Sequence, residues 1–148
     1  EGAGVTRNPT EAIKWFERAA FSGLAEAQFN LGVKYDNGSG VRTDKVRAAG
    51  LYLDAALQGY VPAQVNLAIL NVLGEGMSAN PMEGAKWLTI ASEQGDAKAT
   101  QLLGALRTRL TPAQFNQAKV QASQFRPKLS DANDKASVRL LIEELFRP

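Results

Sequence analysis

The sequence predicts an all-α, right-handed solenoid of about three antiparallel helix pairs, followed by one extra C-terminal helix. Two observations carry the prediction. The glycine-rich stretches "GAGVTRN" at 2–8, "GSGVRTD" at 38–44 and "GEGMSAN" at 74–80 recur every 36 residues, a period that marks stacked supersecondary units. The composition is that of helices punctuated by turns: 45% of the 148 residues are apolar, only 7% are aromatic, and Gly and Pro fall in clusters.

The positions after each glycine loop keep the same phase. Trp15, Leu51 and Trp87 align, as do Phe16, Tyr52 and Leu88, then Ala19, Ala55 and Ala91. Ala12, Ala48 and Gly84 keep one position small. Gly23, Gly59 and Gly95 close the first helix of each unit, where a left-handed residue commonly ends a helix. A second helix then runs to the next glycine pair, carrying Ala27, Ala63 and Ala99 and, one turn on, Leu31, Leu67 and Leu103. Asn8, Asp44 and Asn80 stand where an N-cap is needed, with Pro9 and Pro81 at the first helical position and Glu11 and Glu83 at capping-box spacing. The G-x-G is therefore a turn between helices. A phosphate loop would need an open helix N-terminus and a following Lys-Ser/Thr, and neither is present.

After the third unit the glycine loop is missing, and "TPAQ" at 111–114 supplies a Thr cap, a first-turn Pro and a Gln three residues on. A helix over 111–125 is expected to complete the last pair and to cap the array with a wet outer face. The solenoid thus spans 1–125, with units starting near 2, 38 and 74. Residues 126–148 form a linker and an amphipathic helix whose stripe is Val138, Leu141, Ile142 and Leu145. That stripe is expected to pack on the array's end.

The chain has no Cys and no His. Thiolate nucleophiles, disulfides, Cys/His zinc sites and Ser-His-Asp triads are excluded, and the redox compartment stays open. No run of 18 apolar residues and no export signal occurs; the start at Glu1, inside a repeat, reads as a cut from a longer protein. The net charge of +2 hides an asymmetry: residues 97–130 hold Lys98, Arg107, Arg109, Lys119, Arg126 and Lys128 and no acidic residue. Such a stretch is either a solvated helix face or a surface that steers an acidic partner. Nucleic acid is disfavoured, because only Phe115 and Phe125 are available for stacking among these charges.

The pattern A-x3-L-G-x2-Y-x2-G-x-G-V-x2-D, read here as Ala27, Leu31, Gly32, Tyr35, Gly38, Gly40, Val41 and Asp44, continues through Ala48, Leu51, Tyr52, Ala55, Ala56 and Gly59. It resembles the Sel-1-like repeats, relatives of tetratricopeptide repeats that abound in bacteria, over roughly residues 2–107. The resemblance implies that the helix carrying L-G-x2-Y lines a concave face and its partner the convex face. It implies a non-catalytic scaffold or adaptor that binds another protein, with no cofactor or metal, in a bacterial periplasm or cell envelope, the cytoplasm remaining open. Departures gather in the later copies: Gly32 becomes Ala68, Tyr35 becomes Asn71, and Ala20 becomes Ser92.

Within "VPAQVNLAILNVL" at 61–73 the core stripe is Ala63, Leu67 and Leu70, yet Val65, Ile69, Val72 and Leu73 add a second one. Phe29 and Val33 continue it one unit earlier. The expected partner-binding groove is therefore Phe29, Val33, Val65, Ile69 and Val72, with Arg107 and Arg109 steering an acidic peptide or helix. Burial of this stripe by tight curvature or by the C-terminal helix is the alternative. Trp15 and Trp87 are expected in the core. No small-molecule substrate or direct membrane insertion is expected. Two competing readings are a spacer within a larger multidomain organiser and an enzyme or glycan-binding protein working through carboxylates.

Overall fold

The computed structural model describes residues 9–128. Among them are seven helices and no strand: α1 (Pro9–Phe21), α2 (Ala25–Asn37), α3 (Lys45–Leu57), α4 (Val61–Leu73), α5 (Pro81–Glu93), α6 (Ala97–Arg107) and α7 (Pro112–Gln124). Each helix from α1 to α5 packs against the next in sequence. The fold is an all-α helical repeat, as the 36-residue period requires. Asn8 and the stripe at 138–145 lie outside the described residues.

The caps sit where the sequence places them. Asp44 accepts from the Arg47 amide at 3.0 Å and Asn80 from the Glu83 amide at 3.1 Å. The capping box at Asn80 is not closed, however. Glu83 turns to Lys86, and the Asn80 amide donates to the Asn71 carbonyl instead. Both bonds of the box do form at Thr111 and Gln114. The two glycine loops among the described residues are structural: the Asp44 amide donates to the Tyr35 carbonyl and, one unit later, the Asn80 amide to the Asn71 carbonyl. The loop at 74–80 seats on α3, where a Cβ at Gly76 would fall 2.2 Å from the Lys45 carbonyl oxygen. Lys45 ties the last turn of α2 to the loop at 74–80 by ion pairs to Asp36 and to Glu75, and these carboxylates raise its pKa.

The closest approach in the core lies between α2 and α3. A Cβ at Gly32 would come within 2.7 Å of the Tyr52 ring, which is fully buried and lies 5.8 Å from Phe29. One unit later the pair is Ala68 and Leu88, both buried: a methyl group appears where the ring has gone. A second exchange occurs beside it. Ala48 and Asp36 are replaced by Gly84 and Val72, and a Cβ at Gly84 would lie 2.6 Å from a Val72 methyl.

The array ends differently from expectation. Helix α7 packs on α5 and does not complete a pair with α6. Helix α6 is two residues shorter than α2 and α4, and four residues, 108–111, link it to α7 against seven between α2 and α3, so α7 starts five residues ahead of the repeat phase. Gly104, in the phase of Gly32, consequently has nothing near its Cβ direction. The displaced helix ends in Phe125, whose ring meets Trp87 edge-on at 5.4 Å and leaves that tryptophan 2% exposed. Trp15, expected in the core, is 43% exposed with Arg18 over its ring; no described helix covers it as Phe125 covers Trp87. The chain then returns to the centre of the array, where Lys128 donates to the Leu57 carbonyl at 2.7 Å.

The Gly32–Tyr52 contact sets a testable sign. Gly32→Ala gains ~1 kcal/mol of helix propensity but overpacks the ring, at about 1–3 kcal/mol, so it destabilises the native chain. In a Tyr52→Leu background, which recreates the Ala68–Leu88 pair, the same change stabilises. Urea unfolding of the four chains measures this, and an equal effect in both backgrounds would refute the packing account.

Candidate functional site

Two concavities are candidates. The larger, about 520 Å³, lies between α1 and α3 over α2 and is lined by Glu17, Gln28, Tyr35, Arg47 and Asp54 among others. Its polar groups serve one another: the Tyr35 hydroxyl donates to Glu17 at 3.0 Å and accepts from Arg47 at 2.6 Å, with the guanidinium 4.8 Å above the ring. Burial, then the hydrogen bond to Glu17, raises the Tyr35 pKa, so the hydroxyl stays a donor. These bonds account for the cluster as a brace between three helices.

The second concavity, about 220 Å³, opens between α4 and α6. Ala68, Ile69, Val72 and Leu73 form one wall, Leu102, Ala105 and Leu106 the other; Leu88 of α5 is the floor and Arg109 stands at the edge. Apart from Arg109, every lining side chain is apolar. The last turn of α4 presents this wall because its apolar residues exceed what one core face can take: Leu67 and Leu70 are buried against neighbours while Leu73 is 59% exposed.

Three expected site residues meet here: Ile69, Val72 and Arg109. The others do not. Val65 is 3% exposed and belongs to the core, so it cannot touch a partner; α4 is covered on that side, which corrects the expectation of one continuous groove. Phe29 is half-buried and engaged within the chain, 5.3 Å from the Tyr60 ring as well as close to Tyr52. Val33 packs half-buried against the same core. Arg107 is drawn away to α7, its guanidinium 5.3 Å from the Phe115 ring, which Lys119 also faces. Arg109 makes no ion pair among the described residues.

Ala68, Leu88, Leu102, Ala105 and Leu106 escaped the sequence reading. The signal was present in the repeat phase. Asp36, Tyr52 and Asn66 become Val72, Leu88 and Leu102 thirty-six residues on. At the junction of the first and second units the Tyr52 hydroxyl donates to Asp36 at 3.0 Å and is hydrogen-bonded by Asn66, and burial pushes its pKa far up. That polar triad has become an apolar one. No group of acidic residues that could hold a metal occurs among the described residues, and no described helix is long and apolar enough to cross a membrane.

Comparison with known proteins agrees with the repeat. The sequence model described as Sel1 repeat matches residues 1–23, 25–60 and 61–96. A protective antigen of uropathogenic Escherichia coli displaying an SLR fold is similar in structure, with a TM-score of 0.76 and 28% identity over 94% of this chain. A Sel1 repeat protein from Oxalobacter formigenes has a TM-score of 0.68 and 32% identity over 80% of this chain. The alignments span only 29% and 49% of those two chains. No curated protein sequence matches significantly.

The contrast between core and pocket predicts unequal tolerance. Val65→Asp buries a carboxylate with no partner and costs upward of about 3 kcal/mol. Ile69→Asp, at the open wall, costs on the order of 1 kcal/mol. Urea midpoints check the order; equal losses would place Ile69 in the sealed core.

Proposed function

Because the chain belongs to the Sel1 repeat family, whose repeats generally serve as protein-interaction scaffolds, we propose that it is a non-catalytic adaptor that captures a segment of a partner protein along α4 and α6. The observation that carries this reading is the open apolar pocket bordered by Arg109, which has no ion pair among the described residues. A helix-repeat array offers an extended surface assembled from successive units, and an apolar groove with a charged border suits an amphipathic helix or an extended peptide. The partner is acidic. Between residues 97 and 128 the chain carries Lys98, Arg107, Arg109, Lys119, Arg126 and Lys128 with no carboxylate side chain, and such a field steers oppositely charged partners into encounter.

Affinity capture with the 148-residue chain, compared with its Ile69→Asp variant at low and high salt, tests the assignment. The expected result is a partner retained by the native chain and lost by the variant at unchanged helicity, with retention weakening as salt rises. Equal capture by both chains would move the binding surface elsewhere, towards the polar face of α1 and α3.

A further inference from the structure

The pocket between α4 and α6 has a filled counterpart one unit earlier, and the comparison identifies what it accepts. Between α2 and α4 the corresponding space is taken by Tyr52, fully buried, its ring against Gly32 and near Phe29. Thirty-six residues on, the floor residue is Leu88. Removing a ring from the floor leaves an opening of ring-like dimensions: the pocket holds about 220 Å³, and an apolar cavity of about 150 Å³ already accommodates benzene.

The walls changed with the floor. Asp36 and Asn66, which satisfy the Tyr52 hydroxyl, are replaced by Val72 and Leu102, so the pocket has no side-chain acceptor for a phenol. Arg109, its one polar lining residue, can only donate. We propose that this pocket is a socket for a phenylalanine side chain of a partner polypeptide, carried in an acidic segment whose carboxylates engage Arg109. The acid-free stretch around Arg109 supplies the charge complementarity, and the in-chain precedent of Tyr52 supplies the shape. A tyrosine is disfavoured because its O–H would be buried with no side-chain acceptor, Arg109 being able to serve only its oxygen. The inference rests on the adaptor reading above and names the chemistry of the captured segment.

The test uses the full chain and a fluorescent, capped peptide with one phenylalanine flanked by two glutamates on each side, followed by anisotropy. Leu88→Tyr refills the socket from below as Tyr52 does, and is expected to weaken binding at least about tenfold. Ala105→Phe fills it from an exposed wall and gives the same loss even if the core variant folds poorly. A tyrosine peptide binds more weakly by roughly fivefold to a hundredfold. Arg109→Gln weakens the peptide severalfold and flattens its salt dependence.

Native affinity in both filling variants, or equal binding of a peptide with alanine for phenylalanine, overturns the proposal. So does peptide binding that emerges only in a Phe146→Ala chain, which would make the chain's own C-terminal segment the occupant. A dimer abolished by Leu88→Tyr would assign the socket to a second copy and overturn it likewise. Loss of the captured partner in Ile69→Asp with full retention in Leu88→Tyr removes the socket and leaves the adaptor surface standing; retention in both removes the surface itself.

Discussion

The fold depends on how closely α3 and α5 approach the even-numbered helices before them, α2 and α4. At α2 and α3 that approach is close enough that only a hydrogen fits at Gly32 beneath the Tyr52 ring. Protein interiors pack like organic solids, so a gain of volume on one side must be matched by a loss on the other. The chain records the matching internally. Where Tyr52 becomes Leu88, Gly32 becomes Ala68; where Asp36 becomes Val72, Ala48 becomes Gly84. Units that differ in most side chains therefore keep one backbone spacing, and the glycine loops, held by equivalent amide-to-carbonyl bonds from Asp44 and Asn80, reproduce the same turn.

The same dependence explains how the array ends. A unit needs its loop length as much as its helix pattern, since the loop decides where the next helix lands. The shorter connection before Pro112 puts α7 on α5, where Ala118 and Ala122 are buried and Phe125 closes over Trp87. No described aromatic arrives at Gly104, and the α6 wall facing α4 is left partly open. The terminal helix thus seals one tryptophan while leaving the neighbouring pocket uncovered among the described residues.

Much of the fold was legible because repetition amplifies weak local signals. Asp44, Asn80 and Thr111 as caps, the Gly59 and Gly95 turns and the helix after Thr111 all follow from residue types at fixed spacing. The partner of α7 was not legible: its cap names where a helix starts, whereas its docking depends on loop length and on the fit of Phe125 to Trp87. Helix α4 shows the same division. Its two apolar stripes were plain, but which one stays covered depends on neighbours from both sides, so Val65 entered the core while Ile69 and Val72 reached the pocket. Gln28 and Gln64 went unread because polar types do not advertise burial; each is buried and donates to a carbonyl eight residues back, Ala20 and Ala56 respectively, tying an even-numbered helix to the helix before it.

Divergence between units is what can turn a structural array into a selective surface. A strictly repeated chain would place Tyr52, Asp36 and Asn66 at every junction and fill every gap with its own side chains. Replacing the triad by Leu88, Val72 and Leu102 removes the ring and its hydrogen-bonding partners together. Loss of the ring alone would have taken one hydrogen-bonding partner from each of the half-buried Asp36 and Asn66, Asp36 keeping its ion pair to Lys45; the concerted change leaves dry apolar walls instead. The cost that remains is incomplete packing around Leu88, which a bound side chain can recover. A contact that stabilises the fold in one unit has thus become an unfilled contact in the next, and the free energy of filling it is available for binding.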